Sequence, residues 1–223
     1  MKNLYSILVL LVFVVTANAQ VSKTINVSTA GTLATLLTAD EKANITELTV
    51  TGNIDTRDVK CMRDEIIKLA VLDLGSVNIM AYTGKDGTSY YRQDNLANVM
   101  PANSFCKEKT GKISLKTIKL PNLSTAIDFN AFDNCSGLTG NLTIPKSVTS
   151  IGNQAFRNCS GLTGNLTIPN AAASIDDEAF YDCSGFNGTL TIPNSVTRIG
   201  MAAFHNCKEL TGNLVIPNKL TKI

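Results

Sequence analysis

Over its second half the chain repeats one pattern of apolar and polar positions. In Asn141-Leu142-Thr143-Ile144-Pro145 the apolar residues alternate with polar ones, the period of a half-buried strand. The proline closes that strand because it has no amide hydrogen for a continuing ladder. Val148 and Ile151 form a second apolar edge, and Gly152 allows the turn after it. Ala155-Phe156 and Cys159 then stand at the spacing of a single helical or 3₁₀ turn. The stretch from Cys135 to Pro145 returns from Cys159, from Cys183 and from Cys207, always at the same interval. A fixed period of about 20 to 50 residues signals stacked coils, each completing its apolar side against its neighbours. The pattern therefore predicts a solenoid with one short parallel strand per coil, joined into a continuous sheet through Leu142, Ile144 and their equivalents. Phe132, Phe156, Phe180 and Phe204 are expected to stack as an aromatic spine. Asn134, Asn158, Asp182 and Asn206 are expected to form a polar ladder at a bend.

The first third of the chain has a different pattern. Thr24 to Val27 and Glu47 to Val50 read as strands, and Thr32 to Lys42 and Thr56 to Lys68 as helices, the second carrying Val59, Met62, Ile66 and Ile67 at helical spacing. Residues 20–68 are thus expected to form an α/β cap covering the apolar face of the first coil. Repetition starts at Leu69 and continues to residue 223, interrupted from Ser76 to Met100 by a polar insertion. That insertion holds Tyr82, Tyr90, Tyr91 and Arg92, residue types that anchor protein interfaces, which makes them candidate partner contacts. The alternative is that these rings pack on the edge of the first coils.

At the N-terminus a short positive leader, an apolar run from Leu4 to Val15 and the small residues Ala17-Asn18-Ala19 predict a signal peptide over residues 1–19, cleaved after Ala19. The apolar run is shorter than the roughly 20 residues of a membrane span and no second one follows, so no span is expected in the mature chain.

Composition narrows the choice of partner. A net charge of +2 with 17% charged residues leaves no basic stripe for nucleic acid. Four of the six cysteines share one repeat position, where they either pack as small apolar residues or bridge neighbouring coils. Cys61 and Cys106 lie off that column. Four parallel thiols strung along an axis do not converge on a metal. The single histidine, His205, shares a column with Asp133, Arg157 and Tyr181 that reads as solvated. Asp176, Asp177 and Glu178 read as a cap on turn amides, with calcium binding as the alternative. No catalytic residue, metal site or cofactor is assigned.

The unit LTIPxSVTxIGxxAFxxC resembles the BspA-like branch of the leucine-rich repeat family, from about Leu69 to Ile223. The segment 20–68 with its Tyr-rich insertion is similar to the N-terminal part of secreted members from anaerobic Gram-negative bacteria. The resemblance implies a leucine-rich repeat solenoid, an α/β-type right-handed superhelix, secreted or displayed at the cell surface. It also implies binding to host matrix or plasma proteins or to other cells, without catalysis. Departures are local: Ala172 replaces the usual Val, Asp128 and Asp176 replace the turn Gly, and Leu123 comes one residue early.

An extracellular protein or glycan is therefore the expected partner. Besides the insertion, the sheet face offers Asn141, Thr143, Asn165, Thr167, Thr189 and Thr191, a neutral hydrogen-bonding array. Thr is also simply a good exposed strand former. A third reading is assembly: the last half coil carries no polar cap, which predicts a homodimer weakened by charge at Leu220 or Ile223.

Overall fold

In a computed structural model of the protein, which describes residues 20–89 and 94–222, the chain winds as a stack of parallel rungs. The leader, Tyr90, Tyr91, Arg92 and Ile223 lie outside the described residues. The first three strands, β1 (Ser22–Val27), β2 (Glu47–Ile54) and β3 (Val71–Ile79), pair in parallel, with Ser22 beside Glu47 and Glu47 beside Val71. The step from Glu47 to Val71 equals the interval of the later repeat and that from Ser22 to Glu47 is one residue longer, so residues 20–68 already follow the winding of the solenoid. Three helices lie in the connections: α1 (Leu33–Leu36), α2 (Ala39–Asn44) and α3 (Thr56–Asp64). α2 and α3 each open with a capping box, Thr38 with Glu41 and Asp55 with Asp58, which satisfies amides that a helix start leaves free. The Asp58 carboxylate also accepts from the amides of Gly31 (2.6 Å) and Leu33 (2.8 Å), tying α3 to the connection below it.

β2 and β3 contain no proline and run long, bending once at an irregularity between Thr49 and Thr51. Their first halves bury Leu48 and Leu72, and their second halves bury Ile54 and Ile79. In the repeats proline divides that single strand into two short ones. The Leu-Thr-Ile half continues as β9 (Thr117–Lys119), paired with β3, and later as β12 (Leu166–Thr167) beside β14 (Leu190–Thr191). The other half forms the longer sheet of β6 (Val99–Met100), β10 (Ala126–Ile127), β11 (Ser150–Ile151), β13 (Ser174–Ile175) and β15 (Arg198–Ile199). The continuous ladder of the repeats therefore runs through Ile127, Ile151 and Ile175, where the sequence reading placed only a second apolar edge.

The insertion is shorter than its composition suggests, because Ser76 to Ile79 belong to β3 and Val99 to Met100 belong to the five-stranded sheet. Residues 80–89 and 94–98 leave the coil, with β4 (Tyr82–Thr83) antiparallel to β5 (Asp94–Asn95), and the chain rejoins it where the Asn98 amide donates to the Ile79 carbonyl at 2.8 Å. A two-residue hairpin follows, β7 (Cys106–Lys107) and β8 (Thr110–Gly111), turning through Glu108 and Lys109 at φ of 50° and 67°. Positive φ at both central residues is the twist that suits a tight hairpin.

The back of each repeat is a run of β-turns. Ala131, Asp133 and Cys135 donate to the carbonyls three residues earlier, while Asn130, Phe132 and Asn134 donate to Asn153, Ala155 and Arg157 of the next coil. Asn130 and Asn134, and their equivalents, are left-handed, so the turn cannot propagate as a helix. Gly161 serves close approach of coils: a Cβ there would lie 2.4 Å from the Leu138 carbonyl oxygen.

Inside, Phe105, Phe132, Phe156, Phe180 and Phe204 stack face to face with centroids 5.1 to 5.6 Å apart. Cys135, Cys159, Cys183 and Cys207 are free thiols that donate to the carbonyls of Phe105, Phe132, Phe156 and Phe180 at 2.9 to 3.4 Å. Burial pushes the Cys135 thiol up to about 12 and that of Cys207 to about 11. The polar ladder is present too, with Asn158 Nδ2 donating to Asn134 Oδ1 and Asn206 Nδ2 to Asp182 Oδ1, both at 2.7 Å.

Candidate binding surface

Alternation along the Leu-Thr-Ile strands decides what this face shows. Leu142, Ile144, Leu166 and Ile168 are buried, and Asn141, Thr143, Asn165 and Thr167 are exposed. Where β12 meets the next coil the backbone is paired: Leu166 and Ile168 donate to Thr189 and Thr191 at 3.0 Å. Asn165 reinforces that rung, its Oδ1 accepting from the Thr189 amide at 2.8 Å and from the Thr189 hydroxyl at 3.2 Å. The rung before it is open. Among the described residues, Leu142 and Ile144 make no corresponding bonds to Asn165 and Thr167, and Asn141 to Ile144 pair with no strand on either side.

The opening is a depression of about 550 Å³ between the Asn141–Ile144 rung and the rung from Asn165 to Asn170. Its rim is the Asn141, Thr143, Asn165 and Thr167 side chains with Lys146, and its floor includes Ile168 and Pro169. Chemically it offers amides, hydroxyls and unpaired backbone donors and acceptors over an apolar floor, with one ammonium at the edge. Thr189 and Thr191 continue the exposed row one rung further. Four of the sheet-face candidates thus meet at one place. Lys146 and the apolar floor were missed, because nothing in the sequence marks which rung stays open.

Tyr82, the one insertion candidate among the described residues, lies elsewhere. Tyr82 is half-buried in β4, with the Arg57 guanidinium 4.4 Å from its ring centroid, and Arg57 in turn binds Asp55 and the Ala30 carbonyl. That ring braces the insertion against the first coils.

The polar residues singled out for other chemistry are engaged between coils. The column expected to be solvated contains a fully buried Asp133, whose carboxylate takes two bonds of 2.8 Å from Arg157. The fit of planar guanidinium to carboxylate explains why the charge tolerates burial, and it holds the Arg157 proton more tightly than usual. Further along, Tyr181 stacks on His205 at 4.7 Å. Asp176 and Asp177 pair with Arg198, and Glu178 with Arg157 and Gln154. These acids bind side chains of neighbouring coils, and Asp177 Oδ1 also accepts from the Met201 turn amide at 2.9 Å, the kind of cap the sequence suggested. Burial outweighs the neighbouring Arg198 and raises the Asp176 carboxyl above its ordinary value. Among the described residues no three His, Cys, Asp or Glu side chains gather to hold a metal, and no helix is long and apolar enough to cross a membrane.

Residues 100–223 match the BspA type leucine rich repeat region in six copies. No curated protein sequence matches the chain. Among solved structures, a leucine rich repeat protein of T. pallidum is 18% identical with a TM-score of 0.43, over 75% of this chain and 61% of its own. A leucine rich cell surface protein of Faecalibacterium prausnitzii A2-165 is 23% identical with a TM-score of 0.43, over 84% of this chain and 41% of its own. The chain thus spans less than two thirds of the length of either protein.

Proposed function

Because the chain belongs to the BspA-type leucine-rich repeat family, we propose that it is a non-catalytic binding protein of the cell exterior, engaging an extracellular protein or glycan through its Asn/Thr rungs. The observation that carries this reading is the open rung at Asn141 to Ile144. A closed sheet face offers only side chains, but this one also offers backbone donors and acceptors in hydrogen-bonding positions, which a polypeptide or a polyhydroxylated ligand can satisfy. The leader over residues 1–19 supports export. The row of Thr189 and Thr191 extends the contact beyond the depression.

The test is adhesion of labelled protein to immobilised plasma, matrix and mucin fractions. The Thr143→Arg/Thr167→Arg variant is compared with Asn153→Arg, a substitution on an exposed turn residue. Retention by wild type and by Asn153→Arg, lost in the double variant, is the expected result. Equal retention by all three would move the contact away from this face.

A second reading, self-association, is favoured by one observation: Leu214, Val215 and Ile216 are 57%, 71% and 50% exposed in succession. Three consecutive apolar residues in water suit a strand that pairs with another copy. A dimer in sedimentation that dissociates on Val215→Lys would favour assembly, and a monomer at high concentration would rule it out.

A further inference from the structure

A second cavity, of about 720 Å³, opens between α3, the insertion and the β7–β8 hairpin, and shares no residue with the depression at the open rung. Its lining contains five basic residues, Lys60, Arg63, Lys85, Lys107 and Lys109, against two acidic ones, Asp64 and Glu108. Arg63 is structural and nearly spent: its guanidinium binds Asp64 and donates to the carbonyls of Thr88, Asn103 and Cys106 at 2.9, 2.8 and 3.2 Å. That arrangement also consumes Asp64. The lysines are much less committed. Among the described residues Lys85 and Lys109, both exposed, pair with no acid, Lys60 donates to the Asp86 carbonyl alone at 3.2 Å, and Lys107 stands 3.8 Å from Asp64. The mouth of the cavity is therefore positive in a protein whose whole chain carries only +2.

Charge alone would describe any anion site, but two further groups narrow the ligand. Asn130 lines the cavity 9% exposed, and its Oδ1 is buried without a hydrogen-bond partner. A buried carbonyl oxygen left unpaired is costly and calls for a donor, which a bare anion does not have. Beside it Phe129, 41% exposed, gives the cavity an aromatic surface where the equivalent residue one coil later, Asn153, is polar. Aromatic faces pack against the C–H face of a sugar ring by the same dispersion and apolar contact that stacks side chains.

We propose that this cavity binds an acidic saccharide: lysines for the carboxylate or sulfate, Asn130 Oδ1 for a hydroxyl donor, and Phe129 for the ring face. The combination of negative charge, hydroxyl donor and apolar face within one ligand distinguishes this class from inorganic anions, acidic peptides and neutral glycans. The site differs from the one under the proposed function and stands or falls separately.

The test is calorimetric titration of the purified protein at low salt with four probes: a heparin-derived tetrasaccharide, maltotetraose, inorganic sulfate and polyglutamate. The heparin-derived probe is expected to bind, more weakly as salt rises, and the other three at least about tenfold more weakly, the factor that one charge-assisted hydrogen bond is worth. Lys85→Ala/Lys109→Asn is expected to weaken binding about tenfold or more. The Asn substitution keeps the left-handed turn accessible at residue 109. Phe129→Ala, at an exposed side chain, is expected to lower affinity with the salt dependence unchanged. Circular dichroism confirms that each variant is folded. Binding of sulfate or polyglutamate as tight as the tetrasaccharide, indifference to Phe129→Ala, or no binding at all would overturn the proposal. Because Thr143 and Thr167 are not in this cavity, their double variant is expected to bind the tetrasaccharide normally.

Discussion

Removing one ring from the middle of the aromatic spine should cost far more than removing the ring at its end. Phe156 is fully buried, with Phe132 at 5.1 Å and Phe180 at 5.4 Å, in near-parallel planes. Phe156→Ala removes that buried ring and both stacking contacts, and its neighbours cannot close the gap because the ladder at Ser150–Ile151 and the bonds Phe132 N to Ala155 O and Phe156 N to Ala179 O fix the coil spacing. A Phe-to-Ala change in a core that cannot collapse costs about 3–5 kcal/mol, with the two stacked pairs supplying about 0.5–1.5 kcal/mol each. Phe204 is only half-buried and stacks on Phe180 alone, so Phe204→Ala should cost roughly half as much. Urea unfolding followed by circular dichroism measures both. Because coils couple only to neighbours, the interior variant should also broaden or split the transition, as the array separates into two stacks. A loss for Phe204→Ala equal to that for Phe156→Ala, with one sharp transition in each, would show that the spine does not couple the coils in this way.

Other outcomes follow from the same packing. Gly161→Ala should destabilise by several kcal/mol, since its Cβ would meet the Leu138 carbonyl oxygen, whereas Gly140→Ala meets nothing within 4 Å and should cost only about 1 kcal/mol for its φ of 74°; paired urea midpoints check this. Arg157→Ala leaves the Asp133 carboxylate buried without its partner and should cost about 3–5 kcal/mol, while Arg198→Ala, whose acids are partly exposed, should cost about 1 kcal/mol or less. Native thiols should resist iodoacetamide at pH 8, with Cys207, at about 11 and 9% exposed, labelled before the fully buried Cys159, as peptide mass mapping would show. The raised thiol values also set an alkaline limit. A thiol whose folded value exceeds its unfolded value near 9 contributes its full stability below that pH, and loses it as pH rises towards about 11 to 12, so urea midpoints should fall from pH 9 upward, less steeply in Cys159→Ala.

The repeat was legible because its constraints are periodic. Phe132 to Phe204 and Cys135 to Cys207 recur at one constant interval, and a column of identical large residues has few alternatives to stacking. Periodicity did not say which short strand would keep its ladder, since Leu142-Thr143-Ile144 alternates as well as any strand, yet its rung is open while Ser150-Ile151 pairs on both sides. The early winding was hidden for a different reason: β1 to β3 lack the proline that makes the later units resemble one another, although Ser22, Glu47 and Val71 are spaced, to within one residue, like the rungs that follow. Asp133 illustrates a third limit. A charged residue at a repeat position reads as solvated until Arg157, one coil on, is seen to cover it. On the candidate surface the sequence supplied Asn141, Thr143, Asn165 and Thr167 but not the opening between them, and the cavity beside α3 draws on residues 60 to 130, which no single motif unites.

The most direct test of the binding role is site-specific photo-crosslinking on the protein's own surface. A benzoylphenylalanine placed at Thr143 or Thr167 is compared with one at Asn153 during exposure to plasma, matrix and mucin fractions. A binding face at the open rung gives the same crosslinked partner from 143 and 167 and none from 153. Crosslinking from 153 alone, or from none of the three positions while the protein still adheres, would contradict it.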